Sequence, residues 1–170
     1  PIGDFGGQVA MSSLVKLRNG HFMAFFSDDG RYIDGSGVDG PEPDYGPDYN
    51  ATNTIFSVYS TISEDNGLTW STPEVMLRSN QIFLCEAGAI RSPDGNQIAL
   101  LLRENKRAVN SHIIFSDDEG VTWSLPRELP AALTGDRHVA KYLGDGRVYI
   151  TFRDRALQVN DTHGDWLAWI

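Results

Sequence analysis

Charged residues stand at the ends of otherwise apolar runs in this sequence: Glu86, Arg103-Glu104, Arg137-His138 and Arg153-Asp154-Arg155. A charge in such a place is costly unless it is paired or used by a ligand. A guanidinium is a planar fork that fits a carboxylate bidentately, so the arginines are suited to an anionic ligand. Each also has a structural reading. Glu86 and Arg103, 17 positions apart across Pro93-Asp94-Gly95, could form an ordinary ion pair, and Arg137 with His138 could bridge neighbouring elements. A second acidic group, Asp28, Asp29, Asp34, Asp39, Asp44 and Asp48, surrounds Arg31 in a stretch rich in Gly and Pro. It lacks the Asp-x-Asp-x-Asp-Gly spacing of a calcium loop, and the four histidines are scattered without metal-ligand spacing, so no metal is expected. No glycine-rich loop precedes a helix, so no nucleotide or other cofactor is expected either.

The elements that carry these residues repeat. Ser13 to Leu17 turns at Asn19-Gly20 into His21 to Phe26; Ala87 to Ile90 turns at Asp94-Gly95 into Gln97 to Leu102; Val139 to Leu143 turns at Asp145-Gly146 into Val148 to Phe152. Asn-Gly and Asp-Gly supply the positive φ values of a tight hairpin, and the flanking residues fit buried strands. After two of the hairpins comes a third apolar strand and then a shared octapeptide, Ser63-Glu64-Asp65-Asn66-Gly67-Leu68-Thr69-Trp70 and Ser116-Asp117-Asp118-Glu119-Gly120-Val121-Thr122-Trp123. Both fit S-x-D-x-G-x-T-W. The Asp can accept amide hydrogens of the turn, the Gly takes the strained position, and the Trp folds back as a plug.

A four-stranded repeat of about 50 residues reads as the blade of an all-β propeller. The blades occupy roughly 8–78, 82–130 and an incomplete 135–170, with an inserted loop at 35–53. Three incomplete blades do not close a ring, so the remaining half is expected from the rest of the chain or from another chain. In such a fold the start of each innermost strand and the end of the next share one pole, and the octapeptide turns face the other. Counting back from the hairpins places Met11, Glu86 and Arg137 at the strand starts, with Asp28-Asp29-Gly30-Arg31, Arg103 and Arg153 at the ends that follow.

The totals narrow the partners. Fourteen basic residues against 23 acidic give a net charge of −9, which disfavours nucleic acid and anionic membranes, and no apolar stretch approaches a membrane span. Any anionic ligand must meet a local arginine cluster. A lone Cys85 forms no intrachain disulfide and suits a buried filler.

With its two Asp boxes and the Glu86–Arg103 spacing, the chain resembles the sialidase superfamily. That resemblance implies six blades when complete, an arginine triad gripping a substrate carboxylate, a Tyr nucleophile paired with a Glu, and an Asp acid/base. Glu86 matches the Glu that activates the Tyr and Arg103 matches one arginine of the triad; Arg137, His138, Arg153 and Arg31 are further anion contacts, and Asp29 is the acid/base candidate. A Tyr suits this chemistry because a carboxylate nucleophile would be repelled by the sugar's own carboxylate. The Arg-Ile-Pro motif of the family is absent, Ala10-Met11-Ser12 standing in its place. The implied activity is retaining exo-hydrolysis of a terminal sialic acid or related acidic sugar by a secreted or periplasmic enzyme. The alternatives are a glycosidase or lyase for another uronate-bearing glycan, or a non-catalytic propeller binding glycan or protein.

Overall fold

The computed structural model describes residues 11–28 and 56–154 and the strand backbone at 166–169. These form three antiparallel sheets. The first has the order β1 (Ser13–Lys16), β2 (Phe22–Asp28), β3 (Phe56–Ser63), β4 (Glu74–Ser79). The second repeats it with β5 (Leu84–Arg91), β6 (Ile98–Glu104), β7 (His112–Ser116) and β8 (Arg127–Glu128). The third pairs β9 (Gly135–Tyr142), β10 (Val148–Asp154) and β11 (Trp166–Trp169) in chain order. A 3-10 turn at Ala131–Leu133 leads into β9, and no helix among the described residues is long and apolar enough to cross a membrane.

The sheets pack face to face through their first strands, β5 lying against β1, β2 and β3 on one side and against β9 on the other. Val15, Met23, Phe25 and Val58 of the first sheet meet Leu84, Ile98, Leu100, Leu102 and Ile114 of the second in one buried core. Burial on both faces explains why β3 and β6 read as nearly continuous apolar or small residues rather than as a strict alternation. Each fully buried Leu or Phe contributes about 1.5–3 kcal/mol by leaving water.

The hairpin turns differ from the sequence expectation in one respect. Gly20, Gly95 and Gly146 have φ of 92°, 77° and 87°, but Asn19, Asp94 and Asp145 are not left-handed. Gly20 donates to the Leu17 carbonyl, Gly95 to Ser92 and Gly146 to Leu143, so each connection is a four-residue turn closed by one left-handed glycine. The Asx residue contributes its side chain instead: Asn19, Asp94 and Asp145 each accept the amide two residues on, at 3.0, 3.1 and 3.1 Å.

Both octapeptides fold alike. Asp65 accepts the Thr69 amide at 2.8 Å and the Thr69 hydroxyl at 2.6 Å; Asp118 accepts the same groups of Thr122 at 2.8 and 2.5 Å. Ser63 and Ser116 accept the amides of Gly67 and Gly120, and each Trp indole donates to the carbonyl of that Gly. Because β2 and β3 pair Phe22 with Ser63 and Asp28 with Ser57, these turns lie at the end of the sheet opposite the β2–β3 connection. The same register in the second sheet pairs Ile98 with Ser116, which puts its octapeptide at the far end from Glu86. Asp29, Arg31 and the insertion at 35–53, together with Arg155, lie outside the described residues.

Candidate functional site

Glu86 and Arg137 are not strand starts, as the hairpin count suggested, but interior residues: β5 begins at Leu84 and β9 at Gly135. Opposite them the ladders slip. Cys85 pairs with Arg103 but Gly88 with Leu101, three steps on β5 against two on β6. Asp136 pairs with Arg153 and Val139 with Thr151, the same extra residue in the same place on β9. Each is a β-bulge, and Glu86 and Arg137 occupy it with φ of 48° and 54°. A non-glycine residue in this region costs about 1–3 kcal/mol and persists only where its surroundings hold it. Met11, their counterpart in the first sheet by position, has no such φ.

The surroundings supply that hold. Arg103 Nη1 donates to Glu86 Oε1 at 2.6 Å, and the Arg137 amide donates to Glu86 Oε2 at 3.2 Å, so the second sheet's bulge is bonded to the third's. The Arg137 Nε lies 4.0 Å from Glu86 Oε1. Behind this pair sits Asp136, whose side chain is 0% exposed. Arg107 grips it bidentately at 2.7 and 3.0 Å, Arg153 donates to its Oδ2 through Nε at 3.0 Å and also through Nη2, and Arg103 Nε stands 3.3 Å from its Oδ1. That last contact is an ion pair without hydrogen-bond alignment. Burial pushes the Asp136 pKa up, but the hydrogen bonds from Arg107 and Arg153 and the charge of Arg103 override it and hold the carboxyl well below the usual range. Four guanidinium groups thus surround two carboxylates, a locally positive patch on an acidic chain.

A pocket of about 560 Å³ opens beside the bulges, lined by Met11, Ser12 and Ser27 of the first sheet, Glu86 and Ala87 of the second, and Arg137, His138 and Val139 of the third. All three sheets contribute, because their first strands pack side by side. The β5 backbone at Gly88 approaches β9 so closely that a Cβ there would stand 2.1 Å from the His138 carbonyl oxygen. Glycine at this position is what lets the two bulges meet.

The expected site residues separate into three groups. Glu86, Arg137 and His138 line the pocket; Arg103 and Arg153 do not, since Arg103 stands behind Glu86 and Arg153 is turned to Asp136. The Arg137 side chain is 72% exposed and that of Arg103 only 18%, so Arg137 is the guanidinium placed to meet a ligand. His138 gives no charge: burial lowers its pKa, its Nε2 is bonded to the Leu133 carbonyl at 2.8 Å, and the ring stacks on Phe152. It was expected as an anion contact beside Arg137, and it lines the pocket as a packed, buried ring. Asp29 and Arg31 fall outside the described residues. Cys85 is buried, and burial pushes its thiol up to about 12, so it is an inert filler. Among the described residues no group of three His, Cys, Asp or Glu side chains could hold a metal ion.

Sequence reasoning missed Asp136 and Arg107. Asp136 was missed because the strand start was placed one residue later, at Arg137, and Arg107 because it lies in the loop after β6, where it takes a φ of 58°. Glu104, next to Arg103, has a different task. Buried, it accepts the amides of Phe83, Lys106 and Ala108 and so shapes the loop that presents Arg107.

A larger cleft of about 730 Å³ lies at the octapeptide end, between Trp70 and the Glu119-Gly120 turn. Two of its acidic groups are already engaged. Asp65 is bonded within its own turn, and Glu119 is held by Arg91 at 2.5 and 3.0 Å and by the Arg18 amide at 2.7 Å.

No protein-family model and no curated protein matches the sequence. The structure is similar to solved ones. A protein of unknown function from Dyadobacter fermentans DSM 18053 superposes with a TM-score of 0.58 at 20% identity, over 84% of this chain and 34% of that one. A Hadza microbial sialidase gives 0.54 at 19% identity, over 86% and 28%. A thermostable family-43 glycoside hydrolase gives 0.59 at 11%, over 89% and 50%. The chain therefore spans half or less of the length of these neighbours. At such identities the likeness shows the fold alone, an all-β arrangement of antiparallel sheets similar to that of these neighbours.

Proposed function

We propose that the chain is part of a sialidase-type propeller, six-bladed when complete, that hydrolyses a terminal sialic acid or related acidic sugar from a glycan with retention of configuration. One observation carries this reading: Glu86, bonded to Arg103, and the exposed Arg137 converge on one pocket although 51 residues separate the first from the last. Arg137 takes the sugar carboxylate, where its fork gives charge-assisted hydrogen bonds. Glu86 acts as the base that activates a Tyr nucleophile, the arrangement that lets a neutral group attack a carbon beside a carboxylate. The described tyrosines do not line the pocket, so the nucleophile comes from outside the described residues. Asp29, outside the described residues, remains the acid/base candidate. The two Asp boxes and the sialidase among the structural neighbours support the assignment, and a secreted or periplasmic location goes with it.

A second reading has its own observation. Arg103 and Arg153, expected to bind substrate, are held by Glu86 and Asp136, which leaves Arg137 as the one largely exposed guanidinium among the described arginines of the site. A single fork suits a glycosidase or lyase for another uronate-bearing glycan. Assay of the intact protein on a fluorogenic sialoside beside a fluorogenic uronide decides between them. In the first reading only the sialoside is turned over, and Glu86→Gln lowers kcat by about 100-fold or more with a modest change in KM, since it removes base assistance and keeps ground-state contacts. Turnover of the uronide alone selects the second reading. Turnover of neither, with glycan binding retained, makes the propeller a binding module.

A further inference from the structure

We propose that Asp136 is the positioning residue of this site, an internal counter-anion that fixes Arg103, and through it Glu86, in the geometry the pocket requires. The inference rests on the proposed function and goes beyond it in giving a role to a residue that touches neither the pocket nor a ligand. Asp136 is fully buried and immediately precedes the left-handed Arg137, so any shift of its side chain moves the bulge. Its carboxylate gathers three arginines from three different segments: Arg103 at the end of β6, Arg107 in the loop that follows, and Arg153 at the end of β10. Arg103 bridges the two acids, its Nε toward Asp136 and its Nη1 on Glu86. A guanidinium is planar, so fixing one edge fixes the other. With Asp136 in place, Arg103 presents Nη1 at 2.6 Å from Glu86 Oε1, and Glu86 keeps its second oxygen on the Arg137 amide. Without Asp136 the three guanidinium groups repel one another, and Arg103 is held from one side only, by Glu86.

The arrangement has a chemical signature that packing alone lacks. Truncating Asp136 leaves an anion-sized seat lined by three guanidinium groups, and a small carboxylate from solution can refill it. Formate is the probe. In the intact protein, Asp136→Ala is expected to lower kcat on the substrate that the wild type hydrolyses by about 10–100-fold, the range typical of residues that orient a site from behind. Formate at tens of millimolar is expected to raise the Tm of Asp136→Ala above that in chloride of equal ionic strength, to leave the wild-type Tm unchanged, and to restore kcat at least several-fold. Arg107→Met, which removes the bidentate grip without touching the pocket, gives a smaller loss in the same direction and no formate rescue, and it serves if Asp136→Ala does not fold.

Restored Tm with unchanged kcat would make Asp136 a purely structural residue and overturn the proposal. Absence of any formate-dependent Tm gain would show that the arginines form no common anion seat, and it overturns the proposal equally. If the wild type turns over neither the sialoside nor the uronide, the proposed hydrolysis has failed separately. Calorimetric binding of the free sugar acids then replaces kcat: weaker binding by Asp136→Ala with recovery in formate supports the positioning role, and unaltered binding rejects it.

Discussion

The two ends of the sheets solve opposite problems with similar residues. At the Asp-box end, a carboxylate is bonded within its own turn: Asp65 to Ser63 and Thr69, and Asp118 to Ser116 and Thr122, no partner more than four residues away. At the other end, Glu86 and Asp136 find partners 17, 29 and 51 residues distant, from neighbouring strands and sheets. The first arrangement is built twice with nearly the same distances. The second places the same bulge in two sheets but fills it once with an acid and once with a base. Local self-satisfaction gives a turn that folds by itself and leaves nothing for a ligand, whereas a charge network spread across sheets holds strained residues at the mouth of a pocket. This difference is the reason the proposed function is assigned to the smaller pocket.

Several substitutions break or sharpen this contrast. The largest stability effect is expected from Gly88→Ala, because the new methyl meets the His138 carbonyl and the strands β5 and β9 have to separate. A loss of about 3 kcal/mol, at the upper end for an added methylene in a packed region, should appear in denaturant unfolding, with loss of turnover beyond the loss of folded protein. An unchanged midpoint would show that the sheets do not depend on this close approach.

Next come the two tryptophans, equivalent in sequence and unequal in surroundings. Trp123 packs on the central core and meets the Phe25 ring edge-on at 5.9 Å, whereas Trp70 lines the open cleft. Trp123→Ala should therefore cost about 3 kcal/mol, near the lower bound for a large aromatic, and Trp70→Ala clearly less. Neither should alter KM. Equal losses would mean that the plug role is set by the turn alone.

The smallest effect is a titration. The Thr69 hydroxyl and amide hydrogen bonds lower the Asp65 pKa to about 2. A folded pKa below the unfolded value means that this group's contribution is present above about pH 4 and is lost as pH falls through about 2. Thr69→Val removes the hydroxyl bond and should move Asp65 back toward the ordinary carboxylate value, read by carbon-detected NMR. No movement would contradict the local account of the turn.

The same contrast explains what the sequence made legible. The octapeptides and hairpins are contiguous motifs whose physics is complete within eight residues, so the all-β class and the two ends of the sheets could be read from spacing alone. Glu86, Arg103 and Arg137, which the structure brings together, also stood out, because charge at the end of an apolar strand is conspicuous. What spacing could not show was which way each arginine turns. Arg103 and Arg153 had the right position for a ligand, yet the buried Asp136 of β9 draws both inward. The surroundings of His138 were hidden for a related reason: its burial against Phe152 is a tertiary fact. The bulges were invisible because a single inserted residue leaves the apolar pattern almost intact.

The central claim is that Arg137 receives a substrate carboxylate at the pocket that Glu86 borders. The most direct measurement compares the wild type with Arg137→Ala in the intact protein on a fluorogenic sialoside and on its methyl ester, which keeps the sugar and removes the charge. A hydrogen bond to a charged group is worth about 1.5–3 kcal/mol, so kcat/KM on the acid should fall about 10–100-fold while that on the ester changes little. Equal losses on acid and ester, or no loss on either, would contradict the assignment.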